Sequence, residues 1–399
     1  MSHLEIRTDA ALRDYCSQLA ESSLVGLDTE FVSEYSYRPQ LCLVQVIDDG
    51  GRMAMIDSMA VEDLTPFWEI VAEAGREIVV HAGRGELEFC LRATGRLPET
   101  VFDVQIAAGL AGIEYPANYG SLIAQVLGEK PNKHETRTDW RRRPLSSRQI
   151  EYAMDDVRHL RPLRDAIAER LASLGRLEWL REEMTRWLDE VHRSLTHQRW
   201  RRVSGNSGLD RRALAVLREL WQWREEEAER RDKPVRHVLR DDLIVELAKR
   251  KTADVKRIGT VRGLERGDLR RHVDDMARHI RRALELPEEE CPSKATSQQV
   301  PQMSVLGQFL FSALGSVCRE RSLAPSLVGS PNDVRELITH RLYGKPEHPP
   351  ALAQGWRAEV VGRLFDDLLS GKTSVRIVDA ASEHPLAFDR VDETGADEG

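Results

Sequence analysis

Cysteine is sparse: five in 399 residues (Cys16, Cys42, Cys90, Cys291 and Cys318), scattered and never as Cys-x-x-Cys. That excludes a disulfide scaffold and a cysteine-based zinc centre, and it fits a reducing compartment. Long hydrophobic runs are missing as well. The least polar stretch, Val305 to Cys318, is too short to span a bilayer and is broken by Gln308 and Ser312. Met1 to Arg7 lacks a basic start followed by an apolar run, so no secretory signal is read. A cytoplasmic protein without membrane attachment is expected. Internal repeats and low-complexity tracts are also missing.

What is present is a mixture. Hydrophobic residues make up 41% and charged residues 31% of the chain, enough apolar surface for two or three domains. The net charge is −8, but it is unevenly spread. Between Leu209 and Leu286 there are 21 Lys and Arg against 16 Asp and Glu, a balance of +5 that leaves −13 for the rest.

To about residue 195 the chain alternates short apolar runs with helical patterns. Leu24–Leu27 (leading into Asp28), Leu41–Ile47, Met53–Ile56 and Ile78–Val80 read as strands buried on both faces. Leu64 to Ala74, Glu86 to Ala93 and Leu122 to Leu127 read as helices, and Ser146–Gln149 has the form of a capping box opening another. An α/β domain with a mixed sheet is therefore expected over residues 1–195. His197 to Gly208 reads as a linker, and 209–286 as a small all-α domain from the helical spacing of Leu214, Leu217 and Trp221, then Leu243, Ile244 and Leu247. After a second linker, Pro287 to Gln302, residues 303–390 read as another small helical domain. The acidic end from Asp392 reads as disordered.

The acids that follow strands are the informative residues. In Asp28-Thr29-Glu30 the two carboxylates point to one face of a strand and could share a hard divalent cation. Asp-x-Glu also arises by chance in a chain with 66 acids, so this motif alone decides nothing. Tyr152 and Asp156 are four apart and would stack on one helix face, although Tyr152 could equally be a core residue. Glu86 follows the strand Ile78–Val80 and would open a helix, where a plain N-terminal acid is the commoner explanation.

Taken in order, Asp28-Thr-Glu30-Phe, His81-Ala with Glu86, and Leu145-Ser-x-x-Gln149-x-x-Tyr152-x-x-x-Asp156 resemble the ribonuclease D family of 3′-5′ exonucleases, named for four acids and here with a tyrosine. The match extends through Leu41–Gln45, Phe102-Asp103-x-Gln105 and Asp139-Trp140-x-x-Arg143-Pro144, covering residues 20 to 180. Residues 214–264 resemble the helicase-and-ribonuclease-D C-terminal (HRDC) domain, which in that family helps hold nucleic acid, and the last helical segment resembles a further HRDC-like domain. The resemblance implies a ribonuclease H-like mixed sheet with flanking helices, followed by two small all-α domains.

It also implies site roles. Asp28 would bridge two divalent ions, Mg²⁺ or Mn²⁺. Glu30 and Asp156 would complete the first ion's ligands, Glu86 would support the second, and Tyr152 would orient the attacking water. The implied reaction is hydrolysis of RNA 3′ ends to nucleoside 5′-monophosphates by a two-metal mechanism, with transfer RNA precursors the family's typical substrate. The family has Asp where this chain has Glu86, one methylene longer by about 1.5 Å. Mg²⁺ tolerates distorted geometry poorly, so an exonuclease with a shifted Glu86 and one with an impaired site are both open. So are a 3′-5′ DNA exonuclease and an RNA-binding protein whose site has decayed.

Arg141, Arg142 and Arg143 could bind backbone phosphates or be surface charge, and Trp200 with Arg201 could stack a base or end a helix. His81 reads as a structural strand-end histidine, Asp103 as a turn cap or a site neighbour, and Asp155 as a solvated acid. Of Trp221 and Trp223, one is expected at the surface or at a domain contact. No protein partner is required, since three tethered domains could enclose a strand, and a monomer is expected.

Overall fold

The computed structural model describes residues 3–130, 138–196, 199–264, 267–293, 301–344 and 349–391. The first part contains β1 (Leu4–Ile6), α1 (Asp9–Leu19), β2 (Leu24–Val32), β3 (Gln40–Asp48), β4 (Met53–Ile56), α2 (Thr65–Ala72), β5 (Glu77–Val80), α3 (Arg84–Thr94), β6 (Thr100–Asp103), α4 (Val104–Leu110), α5 (Tyr119–Leu122), α6 (Ser147–Arg158), α7 (Leu160–Ser173) and α8 (Leu177–Thr196). Six strands form one sheet in the order β1-β4-β3-β2-β5-β6. It is mixed: β2 and β4 run antiparallel to β3, while β2-β5, β5-β6 and β1-β4 are parallel.

Helices cover both faces, which is why the strands read as continuous apolar runs rather than alternating ones. On one face Val25, Leu27, Val44 and Val46 pack against α1, α2 and α3. On the other, Leu43, Ile47, Val79 and Phe102 pack against α4, α6, α7 and α8. Gly26 permits the close approach of this second layer, because a Cβ there would lie 2.6 Å from Ile47 Cγ2 and 3.2 Å from Leu160 Cδ1. The capping box at α6 forms as its sequence indicates: Gln149 N–H donates to Ser146 Oγ (3.3 Å) and Ser146 N–H donates to Gln149 Oε1 (2.9 Å).

A second core holds α9 (Arg211–Arg230), α10 (Val235–Val238), α11 (Asp241–Arg250), α12 (Val255–Gly259), α13 (Gly267–Arg270) and α14 (Val273–Glu285). The last part contains α15 (Pro301–Glu320), α16 (Pro325–Val328), α17 (Pro331–Tyr343), α18 (Gly355–Arg357) and α19 (Arg363–Leu369). Its apolar residues are continuous with the α4–α8 layer of the first part.

The structure departs from the sequence reading in places. The strands β1 (Leu-Glu-Ile) and β6 (Thr-Val-Phe-Asp) carried no clear signal, since polar residues leave no continuous apolar run of three in either. The helix expected over Leu122 to Leu127 is α5 followed by a π-turn, Ile123–Leu127. The last segment is not wholly helical: it ends in an antiparallel hairpin, β7 (Thr373–Ile377) with β8 (Leu386–Arg390). The first expected linker holds a 3₁₀ turn, Arg199–Arg202. The expected tail from Asp392, His197–Gln198 and residues 294–300 of the second linker lie outside the described residues.

Candidate active site

The strand β2 runs through the middle of the sheet, paired on both sides. Its even residues face α6 and its odd residues the opposite layer. Asp28 and Glu30 thus emerge beneath α6, while Thr29 turns to α3. A register shift between Glu30 and Phe31 marks a bulge in β2, a common device for re-aiming side chains beside a site.

The helix α6 delivers the third carboxylate. Asp28, Glu30 and Asp156 each place an oxygen so that the three atoms lie within 4.8 Å of one another. Tyr152, one turn earlier, donates its hydroxyl to Asp156, as the spacing of four indicates. Trp140 backs Tyr152 with ring centroids 5.9 Å apart. Gln45 lies directly across from Asp28 on β3, wholly buried, and among the described residues neither of its amide atoms has a hydrogen-bond partner.

The electrostatics follow from crowding acids in a desolvated place. Burial, then Glu86, Asp156 and Glu30, push the Asp28 carboxyl well above its ordinary range. Burial and the charges of Asp156 and Glu86 push Glu30 up to about 8. Asp156 rises to about 7 through burial, countered in part by the Tyr152 hydroxyl and raised further by Asp155. Three acids held together in a desolvated place are an arrangement that could hold a hard cation. The donor set is all oxygen, so it fits Mg²⁺ or Mn²⁺ and not a thiolate-seeking metal.

Glu86 sits differently. It is 6% exposed, and Thr29 Oγ1 donates to its Oε1 at 2.5 Å. It lies close enough to raise the proton affinity of Asp28 and Glu30 but is not one of the three that share the 4.8 Å cluster. Asp103 is taken up by backbone, accepting from the N–H groups of Gly83 (2.9 Å), Gln105 (2.9 Å) and Ile106 (3.2 Å). His81 is structural, its Nε2 2.9 Å from the Ala117 carbonyl and its ring against Tyr119. Sequence reasoning passed over Tyr119, whose buried hydroxyl feels Asp156 and Asp28. Nothing in its spacing from the other motifs points to it.

Several outlying expectations change. Asp155 is not solvated: it is 5% exposed and ion-paired with Arg158. Arg143 is bound to Asp57 (2.6 and 2.7 Å) and to the carbonyls of Cys42 and Trp140, so its donors are spent on the fold rather than free for phosphate. Arg141 is held by Asp139, and Arg142 is exposed. Trp200 does not offer a face to a base: it is 7% exposed in the helical core, and the Arg201 guanidinium lies 4.4 Å from its ring centre. Trp223 is buried, and Trp221 is the partly exposed one of its pair.

A carboxylate trio on a central strand and a facing helix, with a tyrosine one turn away, could hold a divalent ion. Residues 4–172 match the family model of the 3′-5′ exonuclease, and residues 213–280 match that of the HRDC domain. The ribonuclease D of Gluconacetobacter diazotrophicus is 34% identical over 361 residues, covering 90% of each chain. That of Desulfotalea psychrophila is 30% identical over 368 residues, covering 90% of this chain and 96% of its own. The solved structure of Escherichia coli RNase D, an exoribonuclease involved in structured RNA processing, matches with a TM-score of 0.82 at 28% identity, over 93% of this chain and 99% of that one. The chain belongs to the ribonuclease D family, and it is a 3′-5′ exoribonuclease. The family is divalent-metal dependent and acts on RNA. Among the described residues, no helix is long and apolar enough to cross a membrane.

Proposed function

We propose that the chain trims the 3′ ends of structured RNA, transfer RNA precursors among them, releasing nucleoside 5′-monophosphates. The observation that carries this reading is the approach of Asp28, Glu30 and Asp156 within 4.8 Å, with Tyr152 on the same face of α6. In it Asp28, Glu30 and Asp156 would hold the divalent ions, Mg²⁺ or Mn²⁺, that the reaction needs. Bound there, the ions supply the charge that neutralises the phosphodiester and acidifies the attacking water. Tyr152 gives its proton to the hydrogen bond with Asp156, which leaves its oxygen lone pairs to accept from that water and aim it. Burial and the neighbouring acids raise the Tyr152 hydroxyl above its ordinary value. Glu86, fixed by Thr29 outside the trio, would add its negative charge to the hold on the ions.

The +5 helical segment 209–286 grips the strand without regard to sequence, and 303–390 completes a three-part division of a monomer. A cytoplasmic location is consistent with five free, buried cysteines. The test is a 5′-labelled transfer RNA with a 3′ extension, incubated with Mg²⁺, Mn²⁺ or EDTA beside an Asp28→Asn control. Stepwise shortening that needs both metal and Asp28 is expected. Binding without shortening in either metal would replace this reading with that of a decayed site, and a matched DNA strand reports the sugar preference. A Glu86→Asp protein that is no faster than the parent would show that the longer acid is no handicap.

A further inference from the structure

The loop between β2 and β3 carries a tyrosine that neither the fold nor the carboxylate site uses. Tyr35 is 61% exposed, and the Arg141 guanidinium lies 4.7 Å from its ring centre. This arginine is not a wandering surface charge. Its Nε and Nη2 donate to the two oxygens of Asp139 (2.9 and 3.1 Å), and its backbone N–H donates to Asp139 Oδ1 (3.2 Å). One acid therefore fixes the plane of the cation.

Both halves of the pair are tied to the site. On one side, Arg143 anchors the 139–144 segment to the sheet through Asp57 and the Cys42 carbonyl, and Trp140 rests on Tyr152. On the other, the loop is fastened at Tyr37, whose N–H donates to Asp232 (3.1 Å) and whose hydroxyl donates to Glu225 (3.3 Å), both on the helical HRDC segment. Tyr35 thus stands on the seam between that segment and the strand carrying Glu30. Arg142, next in the chain to Arg141, has 83% of its side chain exposed and lies 3.7 Å from the acid that already serves Arg141. One positive charge of the two is left over.

We propose that Tyr35, with Arg141 fixed over its ring and Arg142 next in the chain, is a stacking subsite for an unpaired nucleobase of the RNA strand leading into the carboxylates. Unpaired bases stack on aromatic rings and guanidinium planes regardless of sequence, while arginine takes the backbone phosphate. An exonuclease that consumes any 3′ end needs this kind of grip, one that reads neither base nor fold. The subsite rests on the exonuclease reading but is measured apart from it.

The measurement uses the full chain carrying Asp28→Asn, without metal, and a fluorescent single-stranded oligoadenylate. Adding Tyr35→Ala is expected to weaken binding by about 5- to 160-fold, the range for loss of one stacked base, and Tyr35→Trp to restore it. Arg142→Ala is expected to lower the slope of log affinity against log salt by about 0.7, one single-strand phosphate contact. The same oligonucleotide with abasic sites should be bound equally well with and without the Tyr35→Ala change. Equal affinity of the Tyr35→Ala protein for the intact strand overturns the proposal, as does an equal loss on the abasic strand. Turnover of the same strand by the Asp28 protein with Mn²⁺ reports separately whether the exonuclease reading stands.

Discussion

The two helical segments that follow the exonuclease region are attached to it in opposite ways. Residues 301–391 are welded on. Their apolar side chains run into the α4–α8 layer as one core, and Trp356, 1% exposed, lies within it. Arg357 and Glu183 form a buried pair (2.6 Å), with the Arg357 guanidinium also donating to the carbonyls of Val328 and Leu327 and Trp356 Nε1 donating to Glu183. The α9–α14 segment is only docked. Among the described residues, Tyr37 is the one hydrophobic side chain from the exonuclease region packed against its core. Polar pairs also join the two, such as Arg38 with Glu229 and the Tyr37 hydroxyl with Glu225. A helical segment can therefore serve as a missing wall or as a detachable hand, and the difference lies in whether apolar surface or charge faces the neighbour.

The largest effect should come from the weld. Trp356→Ala is expected to cost about 3–5 kcal/mol in denaturant unfolding, and Glu183→Gln a comparable amount by stranding the buried Arg357. Losses under ~1 kcal/mol, the size of an ordinary substitution, would mean that the two regions are separate bodies after all. A smaller, pH-dependent effect belongs to the acids of β2 and α6. Glu30 and Asp156 have folded-state values raised to about 8 and about 7, above those of the unfolded chain. Their contribution is present at low pH and fades as pH climbs from about 4 to 8, so metal-free melting temperature should fall over that range. Added Mn²⁺ should restore it most at the alkaline end, where fewer protons compete. A melting temperature flat between pH 5 and 8 in EDTA would contradict the crowding of these carboxylates.

Deleting 209–286 tests the docked module. Shortening of RNA should persist while the salt dependence of binding largely disappears, and equal salt slopes with and without the segment would refute a gripping role. The smallest effect is expected at Arg38 and Glu229, whose side chains are both more than half exposed. A double-mutant cycle should yield about 0.2–1 kcal/mol at most after screening. A larger coupling would turn the dock into a second weld.

The same contrast governs what could be seen in the sequence. Wherever neighbours along the chain determine structure, the residues announced it: the β3 run, the capping box of α6, and the pairing of Tyr152 with Asp156 across one turn. Pairing across distance was legible only through the order of motifs. That Asp28 and Asp156, more than a hundred positions apart, meet under one helix follows from the topology, and periodicity does not encode it. Side chains whose surroundings come from another element were misjudged for this reason. Asp155 looked solvated because adjacent helix residues diverge, yet α6 is covered on more than one side. Trp200 looked like a linker aromatic, and its core comes from residues later in the chain. The hairpin β7–β8 lacks the alternation of a half-buried sheet because none of its residues is buried, so neither face selects for apolar side chains.

The weld also sets a schedule for the ribosome. Synthesis runs from the N-terminus, so the sheet and its carboxylates emerge first, with the α4 and α8 surface bare. Leu180, Met184 and the buried Glu183 receive their cover only when Leu310 to Phe365 have been made. A ribosome that stalls before that point leaves a nascent chain displaying an apolar patch and an acid without its arginine, features by which quality-control proteases and chaperones distinguish unfinished chains. An RNA-degrading enzyme built this way has its structural completion placed late in its own message.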